Sequence, residues 1–313
     1  MKSIPAKIKE QLIKVIVGKD DTVELLIAAV LAGGHVLLED TPGTGKTTLA
    51  LALSKCMGLN FRRIQMTPDT TASDITGYSA YDTDKGEFVY HEGAAMTDLL
   101  LADELNRTSG RTQAALLEAM EERRLTVDGV THELSKNFAV IATQNPSGTA
   151  GTSAIPLSQL DRFMVRLRLG APDREALKKL LTDRILTDPL DSTEQVCSAE
   201  DLEGLRAEIN KVTIKDEIMD YICDLMQSAA DCSDTEGGIS PRGALALCRI
   251  VKAGAFLDGR DYVVPSDIRA CFVPVCAHRS VLTREARAAG KTPEGVFEAI
   301  LKAQPCPENR EDI

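Results

Sequence analysis

The chain of 313 residues carries 36 Lys and Arg against 47 Asp and Glu, a net charge of −11, with 43% hydrophobic and 27% charged residues. That balance is ordinary for a folded chain and excludes disordered and collagen-like architectures, and the length suggests two domains. An acidic chain with 4% aromatics and no Trp also argues against a phosphate-backbone footprint and against base-stacking platforms.

In chain order, residues 1–14 are basic but lack the apolar core of a secretory signal. The longest apolar stretch, residues 25–34, is about half of the ~20 residues that a bilayer span requires. Asp20 and Asp21 open a helix through Ala32, favoured by acids at its N-terminal dipole and stopped by Gly33 and Gly34. Residues 35–38 (HVLL) are a short apolar run of the kind buried in a parallel sheet, followed by a loop and a helix over 47–57. Further strands are expected over 61–66, 98–102, 138–143 and 164–169, with helical segments between most of them. The fold class is therefore α/β with a parallel five-stranded sheet. Turn signals at 82–86 and at Asp128-Gly129 predict two hairpins, over 75–90 and 125–134.

Beyond Pro172 the pattern is helical only: 173–187, 199–211, 214–230, 241–257 and 265–277, with start signals at Asp173, Ser240-Pro241 and Pro265-Ser266-Asp267. The expected organisation is an α/β core over 1–171, a helical domain over 172–303 and a polar tail over 304–313. Eight cysteines without a CxxC pair read as buried thiols of a reducing, cytoplasmic compartment rather than as disulfides or zinc ligands.

Chemistry concentrates in five places. Asp40-Thr41-Pro42-Gly43-Thr44-Gly45-Lys46-Thr47-Thr48 follows the first strand and opens a helix. The glycines let successive N–H groups converge on phosphate oxygens, Lys46 neutralises the β- and γ-phosphates, and the Thr47 hydroxyl holds Mg²⁺. Asp40 stands where the GxxxxGK[ST] pattern has its first Gly. It is tolerated because Asp enters left-handed backbone more readily than most residues, and its charge must point away from the phosphates. Asp103 and Glu104 end an apolar run, which delivers both acids to the edge where parallel sheets bind ligands. Asp103 is suited to Mg²⁺ through its water shell, and Glu104 to polarising the attacking water. Asn145, after 138–143, is suited to positioning water. Arg162 reads either as a surface ion-pair residue or as a guanidinium offered to a neighbouring subunit's nucleotide. Arg242 sits in the first turn of a helix, where a cation opposes the macrodipole. That conflict points to a task such as pairing with a phosphate across the cleft. The absence of an [NT]KxD segment favours ATP over GTP.

These elements, with Val15-Ile16-Val17-Gly18, residues 33–39, 63–69, 102–107, 115–120, 127–132, 142–146, 160–163, 259–263 and His278-Arg279, resemble the AAA+ ATPases and, within them, the MoxR family. The resemblance covers about 15–280. It implies Mg-dependent ATP hydrolysis by an α/β core with a helical lid, assembled as a ring, typically a hexamer, with ATP at each subunit boundary. It also makes Asn145 the first sensor, Arg242 the second and Arg162 the arginine finger, with Ile16, Val17 and Gly18 flanking adenine. Residues 75–90 become an insertion in the second helix, and the 125–134 hairpin a pore or axial element. Chaperone-like maturation of metalloenzymes or complexes is implied, with a partner carrying a von Willebrand factor A-type domain. Residues 93–96, where a Gly-Pro segment is usual, and Asp40 depart from the family pattern. Two alternatives stand beside this: a nucleic-acid motor or loader on the same core, and a non-catalytic nucleotide-gated scaffold.

Overall fold

The computed structural model describes residues 3–41, 43–145, 152, 154–184 and 189–307. Nine strands are formed among them: β1 Val36–Glu39, β2 Phe61–Gln65, β3 Gly77–Asp82, β4 Glu87–Glu92, β5 Leu99–Asp103, β6 Arg124–Val127, β7 Val130–Glu133, β8 Ala139–Gln144 and β9 Val165–Leu167. Five pair in parallel as one sheet in the order β2-β5-β8-β1-β9. Four lie within one residue of their expected spans, and β9 ends two residues short of its own, at Leu167. The one-residue shift of β5 makes Asp103 its last residue.

Period-two alternation explains why these strands read as continuous apolar runs. Val36, Leu38, Leu99, Leu101, Ala139 and Ile141 face one core layer. Leu37, Leu100, Ala102, Val140 and Ala142 face the other. The first layer is continuous with the helical region, since it also takes in Leu247, Ile250, Phe272 and Phe297. The helices Asp20–Leu31 and Pro241–Leu257 both bury apolar faces in it.

The two expected hairpins are β3–β4 and β6–β7. Asp128 and Gly129 both have positive φ, 50° and 81°, the requirement of the tight turn that matches strand twist. The stacked rings of Tyr90 and His132, 3.8 Å apart, join one hairpin to the other. Tyr78, Tyr81 and Phe88 on the first are exposed.

Past β9 the described elements are helical: Arg174–Arg184, Ala199–Lys211, Asp216–Ala230, Pro241–Leu257, Pro265–Cys276, Arg284–Ala288 and Pro293–Ala303, with a short 3₁₀ turn at Ala277–Arg279. Three helices were not anticipated: Ser3–Val15, which buries Ile8 and Leu12, Arg284–Ala288 and Pro293–Ala303. Gln304, expected in a polar tail, hydrogen-bonds Ser228 and Asp224, while 308–313 and the end of the expected 173–187 helix lie outside the described residues. All eight cysteines are free thiols, and no helix is long and apolar enough to cross a membrane among the described residues.

Candidate functional site

Strand order brings the motifs together. β8 lies between β1 and β5, so the loop after β1, Asn145 after β8 and the acid pair after β5 meet at one sheet edge. That is the carboxyl edge, where parallel sheets bind ligands.

Gly43 and Gly45 have φ of 86° and 90°, a left-handed bend strained for any L side chain. No atom stands within 4 Å of where a Gly43 Cβ would be. The bend runs into the helix Lys46–Met57, whose first-turn N–H groups have no intrahelical acceptor. Thr44 Oγ1 donates to the Thr41 carbonyl at 3.2 Å. Lys46 is buried, and its Nζ donates to the carbonyls of Asp40 at 2.6 Å and Thr41 at 3.2 Å. Burial lowers its pKa, opposed by the carboxylates of Asp40, Asp103 and Glu104. Pro42 lies outside the described residues.

Asp40 differs from expectation. Its backbone is not left-handed. Its buried carboxylate accepts the backbone N–H groups of Leu169 at 2.6 Å and Gly170 at 2.8 Å. Asp40 is thus a cap on the chain leaving β9, which runs beside β1. No left-handed tolerance is called upon.

Thr143 organises the acid pair. Its Oγ1 donates to Asp103 Oδ1 at 2.6 Å and accepts the Glu104 N–H at 2.8 Å. Arg63 Nη2 donates to Asp103 Oδ2 at 2.7 Å. Glu104 has φ 58°, a left-handed conformation that persists in a non-Gly residue only where its surroundings over-determine it. Those surroundings are Gln65 Nε2 and Arg107 Nη1, donating to Oε2 at 3.0 and 2.9 Å, and Asn145 Nδ2, donating to Oε1 at 3.1 Å. Asn106 in turn holds the Asn145 backbone at both its N–H and its carbonyl.

Gly43, Gly45, Lys46, Thr47, Thr48, Arg63, Gln65, Asp103, Glu104 and Asn145 line a cleft of about 430 Å³. The chemistry fits a magnesium triphosphate. Thr47 and Asp103 are hard oxygen donors, and both Asp103 oxygens already accept hydrogen bonds, which suits contact through water. Among the described residues no group of three or more His, Cys, Asp or Glu is placed to hold a metal. Ile16 packs beside the glycine bend, its Cδ1 3.4 Å from a Cβ built on Gly45, and Gly18 lies against Ala176 at 3.0 Å by the same construction. Val17 is half-buried between them.

Arg162 and Arg242 do not line this cleft. They share a second cavity of about 390 Å³ with Glu121, Arg123, Arg249 and Arg279. Arg162 Nε donates to Glu121 Oε2 at 2.7 Å, and Arg242 Nη2 donates to Glu121 Oε1. Arg242 therefore has a carboxylate partner that offsets its unfavourable place in the first turn. Asp161, beside Arg162, is gripped by Arg279 Nε at 2.8 Å and by Ser240 Oγ at 3.0 Å.

Sequence reading passed over Thr143, Arg63, Gln65, Asn106, Arg107 and Glu121. Of these, Arg63, Gln65, Asn106, Arg107 and Thr143 lie in segments that carry the family resemblance, with no role attached to them there, and Glu121 lies just outside one.

Residues 35–165 match the family described as the ATPase family associated with various cellular activities (AAA), and residues 227–300 match the AAA lid domain. The chain is 43% identical to the uncharacterised protein YeaC of Bacillus subtilis, over 98% of this chain and 96% of that one. It is 33% identical to the chaperone MoxR1 of Mycobacterium tuberculosis, over 94% and 80%. A crystal structure from Cytophaga hutchinsonii, named provisionally as an ATPase, superposes with a TM-score of 0.88 at 35% identity, covering 98% of this chain and 96% of that one.

Proposed function

The chain belongs to the MoxR family of AAA ATPases and hydrolyses ATP, and from that premise we propose that the cleft over the glycine bend is where hydrolysis occurs, completed by a second copy of the chain. Gly43, Thr44, Gly45 and Thr48, with Pro42, wrap the phosphates, and Lys46 leaves its two carbonyls for the β- and γ-oxygens. Ile16, Val17 and Gly18 flank the base. Thr47 and, through water, Asp103 hold Mg²⁺, which supplies charge neutralisation when bound. Glu104 accepts the proton of the attacking water, and Asn145 orients both.

Arg162 and Arg242 act in trans. The observation that carries this is their separation: both cations line a different cavity from Lys46, Asp103, Glu104 and Asn145. A site missing its cationic half is what a ring, by the family hexameric, would complete at each boundary. Residues 1–171 form the ATPase core and 172–303 its lid, with a tail over 304–313. The chaperone name of one relative supports a role in remodelling or maturing protein complexes; the cytoplasmic setting, the metalloenzyme clients and a partner carrying a von Willebrand factor A-type domain are what the family resemblance adds to the proposal.

A mixing experiment tests the trans reading. Lys46→Ala removes the phosphate-binding cation and keeps Arg162, while Arg162→Ala does the reverse. Each alone should lose about 10³-fold or more in turnover, and mixing them should restore phosphate release above either alone. Full activity of Arg162→Ala by itself would overturn it.

A further inference from the structure

Glu121 is a charged group that the mechanism above leaves unused. It lies in the last turn of the helix Gly110–Glu122, Arg162 follows the short helix Leu157–Leu160, and Arg242 lies in the first turn of Pro241–Leu257. Three elements distant in sequence therefore converge on one carboxylate. Its two oxygens are divided between the two guanidiniums. The Arg162 hydrogen bond, more than any other contact, holds its carboxyl below the usual range, with Arg242 adding to the effect.

The neighbouring charges do not substitute for it. Asp161 is committed to Arg279 and Ser240, and Arg123 to the carbonyls of Gly33 and Lys136. A carboxylate bridging two guanidiniums presents to them what a phosphate presents: paired anionic oxygens in reach of planar donors.

We infer that Glu121 stands in for the partner's γ-phosphate in the unassembled chain and restrains Arg162 and Arg242 until a second copy delivers its nucleotide. The inference rests on the trans reading above. Docking exchanges one anion for another of greater charge, so the cations change partner instead of being stripped bare. Until then they are neutralised, and a free anion must compete with a tethered one. Turnover is thereby tied more steeply to assembly.

The test is specific ATPase activity against protein concentration for the full chain and for Glu121→Gln and Glu121→Ala. Both variants alter an exposed helix end and leave the P-loop cleft intact. The protein concentration for half-maximal activity should fall by about 3- to 30-fold, the size expected when two part-exposed ion pairs stop competing. A half-maximal concentration that is unchanged or higher in both variants, with the wild type still concentration-dependent, overturns the restraint alone. A plateau lowered tenfold or more without that shift also overturns it, and makes Glu121 a positioning residue. Wild-type activity independent of dilution overturns the trans reading, and the restraint with it.

Discussion

Asp40→Gly restores the glycine that the phosphate-loop pattern ordinarily carries, and pattern reasoning alone expects a better nucleotide site. The structure argues for the opposite. The Asp40 carboxylate takes the N–H groups of Leu169 and Gly170 at 2.6 and 2.8 Å, and Leu169 is 2% exposed. Deleting the acceptor leaves one buried and one part-buried donor unpaired, at about 1–3 kcal/mol for the first and less for the second. A glycine in extended backbone adds about 0.5–1 kcal/mol of conformational entropy. The sum is a loss of about 2–4 kcal/mol. Urea unfolding of wild type, Asp40→Gly and Asp40→Asn measures it, with Asn retaining one acceptor oxygen and falling between. ATP affinity of the folded Gly variant should not improve, because the carboxylate it removes is committed to the Leu169 and Gly170 N–H groups. A Gly variant that matches wild-type stability within 0.5 kcal/mol, or binds ATP tenfold more tightly, would refute the capping role.

Glu104→Gln keeps the shape of the side chain but not its basicity, so phosphate release should fall by about 10²–10⁴-fold while binding of a fluorescent ATP analogue is retained; lost binding with proportionate turnover would contradict the assignment. Thr143→Val removes the hydroxyl that serves both Asp103 and Glu104. A stability loss of about 1–3 kcal/mol is expected, together with a kcat reduced more than KM is raised, and an unchanged kcat would mean that the acids hold their places without it. His35 is buried, its Nδ1 accepting from the Val140 N–H and its Nε2 facing the Met120 carbonyl, and burial lowers its pKa from 6.5 to about 4. The folded imidazole stays neutral while the unfolded one takes up a proton below about 6.5, so stability is full above that pH and lost as pH falls toward 4, by up to about 3 kcal/mol. The difference in unfolding free energy between wild type and His35→Gln, followed from pH 7 to pH 4, should shrink accordingly, and a constant difference would exclude the titration.

What was legible in the sequence was whatever is contiguous. The bend at 43–45, the helix that follows it and the apolar run ending in Asp103 and Glu104 are each written in adjacent residues, and strand periodicity carries them to a common edge. Strands β1, β5 and β8 lie within a residue of expectation for the same reason: runs buried on both faces have sharp polar ends. The helices 3–15, 284–288 and 293–303 escaped notice because their apolar residues are interleaved with Lys, Arg and Glu, and their faces become meaningful only against a core already built. Ile8 and Leu12 are fully buried on the stripe that the helical spacing of Ile4, Ile8, Leu12 and Val15 marks out.

The partners of the functional groups were illegible for a more basic reason. Which side chain reaches Asp103 depends on which strand lies beside β5, and that order is a property of the sheet. β8 beside β5 delivers Thr143, and β2 on its other side delivers Arg63 and Gln65. The same argument governs Asp40. It departs from the motif, and only the placement of β9 against β1 shows two backbone donors waiting for it. Arg162 and Arg242 carry the logic furthest. From sequence Arg162 reads as a surface ion-pair residue or as a cation offered to a neighbour's nucleotide, and Arg242 as a cation for a phosphate across the cleft. Folding puts them together on Glu121, in a cavity apart from the cleft, and the proposed trans arrangement rests on that separation. A phosphate site built from glycines, one lysine and two acids is laid out on one chain, and the proposed trans arrangement would make its hydrolysis conditional on a neighbour's cations.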